Sequence, residues 1–478
     1  MLFNTSDFAF FFAGVFVLAL LLPHRLQNRM LLVGSYFFYA AWDWRFTSLL
    51  AISTLVDYCV GRALGGESDS RRRRLLVTTS IVVNLGILGY FKYAGFFAES
   101  LRELFASLGV ELPDFAVSVV LPVGISFYTF QTLSYSIEVY MGRQKAERHP
   151  GHFALYVAFF PQLVAGPIER SVNLLPQFKK EHKLKYSNVR DGIVFMLWGY
   201  FKKVVIADRL SEYVNIVYNN PVSHSGWQNV IATLFFTFQI YCDFSGYSDI
   251  AIGTAKIMGI DLMTNFRRPY FALNIREFWQ RWHISLSTWF KDYFYIPLGG
   301  NRVPGLRRYF NLFATFVVSG LWHGANWTFV IWGALHGFYM IFAIRTKKIR
   351  EKINQFTGLA QRPGLLKLWQ TATTFVLVYF AWIFFRANSL KEAILFIGKI
   401  FTPTTGPVNL FRYKADFSLA FILIIMLVFA ELLIEKAKLQ IRLMNTSRTV
   451  KWALLIVTIL TIFILGKWES IDFLYFQF

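Results

Sequence analysis

The stretch FNLFATFVVSGLWHGANWTFVIW, residues 310–332, decides the class of fold to which this chain belongs. It holds no Asp, Glu, Lys or Arg and is long enough to cross a lipid bilayer. Comparable apolar runs recur along the whole chain, at residues 8–22, 75–91, 116–135, 227–242, 368–385, 418–434 and 452–466. The pattern predicts an all-α polytopic membrane protein with roughly 11 to 13 transmembrane or re-entrant helices.

The composition favours the same class of protein. The 478 residues are 55% hydrophobic and only 16% charged, which is too apolar for a soluble protein of this size. The net charge of +21 comes from basic loops between apolar runs, so it predicts contact with membrane lipids and no nucleic acid partner. Cys59 and Cys242 lie in or beside apolar runs, which supports neither a disulfide framework nor a thiolate metal site.

Basic residues predict the orientation of the chain in the membrane. Arg25 and Arg29 follow the first apolar run and no positive charge precedes it, so this run is expected to be a permanent span rather than a cleaved signal peptide. By the positive-inside rule, the N-terminus and the acidic residues 99–114 are then outside the cytoplasm. The tail, residues 467–478, is predicted to be extracytoplasmic as well.

The whole chain, residues 1–478, is predicted to form a single integral membrane domain, since no long polar linker or internal repeat divides it. Residues 261–309 differ from the rest because they mix aromatic and charged residues with Pro269, Pro297 and a Gly299-Gly300 pair. Such backbone is tolerated at membrane depth only where protein or water covers it. This segment is therefore predicted to be a re-entrant or interfacial element that carries the active site.

Two histidines are the main catalytic candidates. His323 and His336 lie inside an apolar stretch, where ionisable side chains are costly and often functional. His323 has small residues on both sides, and Asn326, one helical turn away, is predicted to orient its imidazole. His283 lies in the irregular segment 261–309. The alternatives remain open at this point: His323 as a bond between helices, and His283 as part of an interfacial aromatic belt.

A pair of histidines without a neighbouring serine or cysteine nucleophile suits acyl transfer from a thioester to a hydroxyl. One imidazole takes the hydroxyl proton, while a second donor stabilises the oxyanion or the leaving thiolate. The sequence has no phosphate-binding glycine loop, no nucleophile elbow and no histidine pair at helical metal-binding spacing. A metal is not expected.

Several blocks resemble the bacterial alginate O-acetylation branch of the membrane-bound O-acyltransferases. The two most specific are FWQRWHISLSTWFKDYFYIPLGGNR, residues 278–302, and LWHGANW, residues 321–327. The segments 121–131, FPQLVAGPI at 160–168 and YCDFSGYSD at 241–249 are similar to the same branch and follow in the same order. The resemblance covers nearly the whole chain.

The resemblance implies a fold, a reaction and a location. The invariant catalytic histidine of the family corresponds to His323, and the second active-site histidine of this branch corresponds to His283. The implied fold is a wall of helices around a central funnel in the bacterial cytoplasmic (inner) membrane. The implied donor is acetyl-CoA, the acceptor an extracytoplasmic polysaccharide, and the partner an extracytoplasmic SGNH-hydrolase-like acetyltransferase.

Basic residues near the histidines are candidates for binding the phosphates of coenzyme A. Each of them is alternatively explained as a loop charge that sets the orientation of the chain in the membrane. They are Arg267, Arg268, Lys291, Arg302, Arg307 and Arg308. The tail IDFLYFQF, residues 471–478, resembles an aromatic terminal motif of the same branch. Tyr475 is therefore a candidate acyl relay, with an aromatic interfacial anchor as the alternative.

Other functions remain open on the sequence. The related D-alanylation enzymes use a carrier-protein thioester, so transfer of D-alanine or another acyl group to a cell-envelope polymer is one alternative. A polytopic transporter or flippase would also keep Asp57, Asp243 and Asp249 near the membrane interior. However, the chain lacks the paired halves with matching broken helices that many transporters have. A structural subunit without activity would not need His323.

Overall fold

The computed structural model describes residues 1–113, 119–164, 166–182, 184–401, 407–435, 447–468 and 473–474. Within these ranges every regular element is helical, which confirms the predicted all-α class. The chain forms two compact units. Met1–Met196 and Ser248–Met263 make up the first unit, and Leu197–Tyr247 and Thr264–Phe478 the second. The prediction of a single domain stays a prediction.

The helices are numbered in chain order. The first set is α1 (Ser6–Leu21), α2 (His24–Ala40), α3 (Thr47–Gly66), α4 (Ser70–Leu88), α5 (Ala94–Ser107), α6 (Ile125–Tyr140), α7 (Pro150–Ala158), α8 (Phe160–Leu163), α9 (Ser171–Phe178) and α10 (Tyr186–Tyr200). The second set is α11 (Asp208–Tyr218), α12 (Gly226–Ile257), α13 (Ile275–Arg281), α14 (Ile284–Phe290), α15 (Gly305–His323), α16 (Trp327–Arg345), α17 (Lys347–Phe356), α18 (Pro363–Arg386), α19 (Leu390–Ile400), α20 (Lys414–Glu435) and α21 (Arg448–Leu465).

Six helical stretches of the described chain are long and apolar enough to cross a membrane. They are Trp44–Gly66, Ser70–Ser107, Trp327–Arg345, Pro363–Arg386, Lys414–Glu435 and Arg448–Leu465. These stretches agree with a multi-pass membrane protein. The larger predicted total, which included re-entrant helices, stays a prediction.

A buried polar network holds α3, α4 and α6 together in the first unit. Asp57 on α3 accepts hydrogen bonds from Ser80 (2.5 Å) and Asn84 (2.7 Å) on α4, and from Ser136 on α6. Asp57 is fully buried, so these donors replace the water that its carboxylate would otherwise bind. This intramembrane acid therefore has a structural role in joining three helices.

The run 310–332 is not one continuous membrane span, which corrects the expectation from hydropathy. Helix α15 ends at His323 and α16 begins at Trp327. A methyl group at Gly324 would overlap the ring of Phe329, and one at Gly320 would overlap the carbonyl oxygen of the same residue. Because glycine has no Cβ, α15 and α16 can pack this closely and the chain can turn at the break.

The segment 261–309 is irregular, as predicted. Its helices α13 and α14 have 7 residues each, and Lys291–Tyr295 forms a π-helical turn. Two residues other than glycine have positive φ, Arg268 at 46° and His283 at 41°. Such backbone is uncommon for these residue types and is often held in place at functional sites. That the segment is re-entrant stays a prediction.

Candidate functional site

The second unit brings the two predicted catalytic histidines together. The ring of His283, at the start of α14, lies 6.3 Å from the ring of His323, the last residue of α15, measured between centroids. Both side chains are buried, 0% and 2% exposed. The two ring planes are inclined by 60°, so a substrate group that enters beside the pair can contact both imidazoles.

Aromatic side chains surround the pair. Trp322 and Trp332 each lie 5.0 Å from the His323 ring, and Phe385 lies 5.5 Å from it. Phe244 contacts the His283 ring edge-on at 4.6 Å. In such apolar surroundings water is excluded, and electrostatic interactions with a reacting group are stronger than in bulk solvent.

Asn265 determines which nitrogen of His283 carries the proton. The backbone N–H of Ser285 and its hydroxyl both donate to Asn265 Oδ1, at 3.3 Å and 2.9 Å. A backbone N–H can only donate, so the amide oxygen rather than its NH2 group faces it. His283 Nδ1 lies 3.1 Å from the same oxygen and therefore donates to it. In the neutral ring, Nε2 is then the basic nitrogen.

Sequence reasoning missed Asn265, because an asparagine in a loop gives no signal of its own. Its position within the irregular segment 261–309 was the only indication available. Its backbone carbonyl also accepts from the N–H of Ile284, at 2.9 Å. Asn265 thus supports both the imidazole of His283 and the backbone that follows it.

His336, the other histidine of the apolar stretch, has the role of a bond between helices. Its ring is fully buried on α16, and Trp279 Nε1 of α13 donates to its Nδ1 at 3.2 Å. Trp332 packs 5.0 Å from the His336 ring and also contacts His323. His336 thus bonds α16 to α13, which is the role that the sequence left open as an alternative for His323.

The predicted orienting role of Asn326 needs correction. Because α15 ends at His323, Asn326 is not one helical turn away from it. The side-chain oxygen of Asn326 instead accepts from the N–H of Thr328 at 2.9 Å, and its NH2 group donates to the carbonyl of Asn388 at 3.0 Å. Asn326 therefore caps α16 and fixes the break between the two helices.

The candidate phosphate-binding residues differ in their surroundings. Arg268 is paired with Glu435 at 2.5 Å, and Glu435 also contacts Arg281 at 2.8 Å. Three other candidates are exposed; they are Arg267, Lys291 and Arg302. Arg307 and Arg308 lie over aromatic rings, those of Phe310 and Tyr309. The carboxylate beside Arg268 already satisfies much of its charge, so the exposed side chains are better suited to an incoming phosphate.

Tyr475 lies outside the described residues. The two residues before it, Phe473 and Leu474, are buried in the second unit. The Phe473 ring packs 5.6 Å from that of Phe244, which also contacts His283. The described part of the tail therefore ends next to the wall of the histidine pair.

The arrangement suits proton transfer and stabilisation of a developing charge at a buried centre. Within the described residues, no three His, Cys, Asp or Glu side chains are grouped to hold a metal ion. The prediction that the site works without a metal stays a prediction. Two imidazoles enclosed by aromatic rings can bind a carbonyl and a hydroxyl while water is kept away.

Comparison with known proteins gives a consistent result. A model of the membrane-bound O-acyltransferase family matches residues 149–386, which include His283 and His323. The chain is 42% identical over 410 residues to the "Probable alginate O-acetylase AlgI" of Pseudomonas putida, covering 84% of this chain and 80% of that protein. It is 37% identical over 426 residues to the peptidoglycan O-acetyltransferase of Helicobacter pylori, covering 82% and 78%.

A more distant similarity joins the chain to the teichoic acid D-alanyltransferase of Bacillus subtilis. The identity there is 31% over 232 residues, which is 46% of this chain and 58% of that protein. The similarity to the two O-acetylating proteins is thus both higher and longer.

Proposed function

Because the chain belongs to the membrane-bound O-acyltransferase family, we propose that His283 and His323 are the catalytic pair of a membrane O-acetyltransferase. The chain is an acyltransferase, and its alginate and peptidoglycan relatives support O-acetylation of an extracytoplasmic polysaccharide. The observation that carries the assignment of residues is the 6.3 Å separation of the two rings. D-alanyl transfer and transport have less support.

The tautomer of His283 suggests how the roles are divided. Asn265 accepts the proton of Nδ1, so Nε2 of His283 is the nitrogen able to take a proton from the acceptor hydroxyl. His323 then donates an N–H to the carbonyl oxygen of the thioester, where negative charge develops during attack. In the neutral state His283 presents a lone pair to the substrate because Asn265 binds its N–H, whereas His323 is assigned the N–H that faces the substrate.

The reaction balances with these two groups alone. The acceptor oxygen attacks the thioester carbonyl while its proton moves to His283 Nε2, and a tetrahedral oxyanion forms against the N–H of His323. The carbon–sulfur bond then breaks and the ester is left on the acceptor. The thiolate leaves as a thiol after it takes the proton back from His283.

The acyl donor is proposed to be acetyl-CoA. Lys291, Arg302 and Arg267 are exposed cations of the active-site segment and can pair with its phosphates, with Arg268 in a lesser role because of Glu435. The donor is expected to enter from the cytoplasm, where coenzyme A esters are made.

The acceptor side is proposed to be extracytoplasmic. We place the protein in the bacterial inner membrane with both termini outside, and assign it an SGNH-hydrolase-like partner that puts the acetyl group on the polymer. Tyr475 is the proposed relay: its phenol oxygen takes the acetyl group as an ester and passes it to a hydroxyl of the partner. The position of Phe473 beside Phe244 supports this.

The decisive experiment measures the acetyl content of the cell-surface polysaccharide in a strain that lacks the gene. The strain is complemented with the wild type, His323→Ala, His283→Ala or Tyr475→Phe, and the membrane level of each protein is checked. We expect the wild type to restore acetylation and either histidine variant to lower it by about 100-fold or more. Tyr475→Phe is expected to abolish transfer to the polymer.

His149→Ala is the matched control, because His149 is an exposed histidine outside the pair. It should acetylate as the wild type does. Full acetylation by a stable His323→Ala protein would contradict the catalytic assignment and favour a transporter or a scaffold. Full acetylation by Tyr475→Phe would remove the relay and leave direct transfer to the partner.

A further inference from the structure

A buried ion cluster lies in the second unit, next to the wall of the histidine pair. Lys203 Nζ lies 2.7 Å from Asp208 Oδ1 and 2.7 Å from Asp243 Oδ1. All three side chains are buried. Lys203 lies in the π-helical stretch Phe201–Ala207, Asp208 begins α11 and Asp243 lies on α12. The mechanism above uses none of them.

The charges in this cluster do not balance, since one ammonium group faces two carboxylates. The second oxygen of Asp243, Oδ2, accepts a hydrogen bond from the backbone N–H of Leu474 at 2.8 Å. A buried carboxylate oxygen is costly without a donor, and a charged acceptor makes this hydrogen bond stronger than a neutral one. The tail thus supplies a donor to the carboxylate of Asp243.

The tail is held at two described places. Besides the bond from Leu474, the backbone N–H of Lys467 donates to the carbonyl of Val204 at 2.9 Å, and Val204 is the residue after Lys203. The Phe473 ring is fully buried and packs 4.6 Å from Tyr247 of α12. Two hydrogen bonds and a buried ring thus hold this part of the chain against the second unit.

Asp243 also connects the tail to the site through its neighbour in the sequence. Phe244 packs against Phe473 on one side, at 5.6 Å, and against the ring of His283 on the other, at 4.6 Å. One turn of α12 therefore carries both the acceptor for the tail and a wall of the histidine pair. A shift of the tail at Leu474 would therefore also move the Phe473 ring against Phe244, the ring that packs on His283.

We propose that Asp243 is a positioning residue that docks the C-terminal tail through the N–H of Leu474, so that Tyr475 is delivered to the His283–His323 pair. This inference rests on the proposed function for its role in catalysis, whereas the docking itself does not. Asp208 pairs with the same lysine and makes no hydrogen bond to the described tail residues 467, 468, 473 and 474, so it provides a matched comparison.

The docking is tested by maleimide labelling of a Leu474→Cys probe, in the full-length protein in membranes. The background carries Cys59→Ser and Cys242→Ala, which removes both native thiols. The probe is expected to react slowly in this background and in Asp208→Ala, because position 474 is buried. In Asp243→Ala we expect labelling to be about tenfold faster or more, since loss of a charged hydrogen bond of this kind is worth roughly 1.5–3 kcal/mol. Equal protection in Asp243→Ala would overturn the docking.

The role in catalysis is tested by steady-state kinetics with acetyl-CoA. A misplaced acceptor should lower kcat by about 100-fold in Asp243→Ala and leave the KM for acetyl-CoA unchanged. A merely structural effect would lower the melting temperature and act equally in Asp208→Ala. Faster labelling with an unchanged kcat would overturn the positioning role, as would equal losses of kcat in the two aspartate variants.

A second pair of variants covers the case in which Asp243→Ala fails to fold. Leu474→Pro removes only the donating N–H and leaves the ion cluster intact, whereas Leu474→Ala keeps that N–H. The proline variant should lose kcat and the alanine variant should keep most of it; equal activity would overturn the proposal. Failure of the histidine assignment would be recognised separately, by full acetylation in His323→Ala with the labelling results unchanged.

Discussion

The imidazoles of His283 and His323 lie 6.3 Å apart between centroids with their planes inclined by 60°, and each residue stands at the end of a regular helix. His323 is the last residue of α15, and His283 precedes α14 with a left-handed backbone. Helix ends leave backbone groups without partners inside their own helix, which makes such positions suitable for contact with a substrate. The pair therefore combines two titratable rings with backbone that an uninterrupted span would not offer.

The tautomer of His283 makes Asn265 a sensitive position. Asn265→Ala removes the acceptor for Nδ1–H and should lower kcat by about 10- to 100-fold with little change in KM for the donor. Asn265→Asp keeps an acceptor and should retain more activity. Because a carboxylate stabilises the protonated imidazole, the acid limb of its rate profile should move to higher pH.

Rate profiles of wild type and Asn265→Asp between pH 5 and 9 give this measurement. An unshifted acid limb in Asn265→Asp would show that His283 is not the proton acceptor, and His323 would then take that role. Ser287→Ala serves as the control, because its hydroxyl bonds to the Trp282 carbonyl rather than to Asn265.

The exposed cations of the active-site segment are expected to act on the phosphates of the donor. Lys291→Ala and Arg302→Ala should each raise the KM for acetyl-CoA by about tenfold, in line with the loss of one charged hydrogen bond. The KM for acetyl-pantetheine, which lacks the phosphates of the nucleotide, should not change. Purified protein in lipid nanodiscs allows both substrates to be compared.

Lys347→Ala is the control for general charge effects, because Lys347 is an exposed basic residue at the start of α17. It should leave both KM values unchanged. Equal effects of Lys291→Ala on the two substrates would contradict phosphate binding. Activity with a D-alanyl thioester on a carrier protein, and not with acetyl-CoA or acetyl-pantetheine, would support the alternative of D-alanyl transfer.

The contact between α15 and α16 predicts a large effect of a single methyl group. Gly320→Ala should lower the free energy of unfolding by about 1–3 kcal/mol, because its Cβ would overlap the backbone of Phe329. Gly86→Ala on α4 meets nothing within 4 Å and should keep or raise the stability. Melting temperatures of the two variants in detergent provide the comparison. Equal melting temperatures would show that α15 and α16 can move apart without a loss of stability.

Substitutions of Asp57 test whether this buried acid has a structural role or lies on a transport path. Asp57→Ala leaves buried hydroxyl and amide donors of α4 and α6 unsatisfied and should cost about 1–3 kcal/mol per group. Asp57→Asn keeps one acceptor and should preserve polysaccharide acetylation. Loss of acetylation in a stable Asp57→Asn protein would mean that the charge itself is needed, as a transporter would require.

The sequence alone determined the class of protein and indicated the two candidate catalytic histidines. Long apolar runs fix an all-α membrane protein, because no other unclosed backbone satisfies its hydrogen bonds in lipid. His323 stood out as an ionisable group in such a run and His283 as one in irregular backbone, and the structure brings them together. These signals are local, so they can be read from residues that are close in the sequence.

The tertiary structure decided where the helices break and which distant residues form hydrogen bonds with each other. Hydropathy does not detect that helix α15 ends before Gly324, inside the apolar run 310–332, since the break depends on the packing of Phe329. Asn265 and Asp243 gain their meaning from His283 and from Leu474, partners that only folding places within hydrogen-bond distance. A hydrogen bond depends on a few tenths of an ångström between groups distant in sequence, which composition and periodicity do not encode.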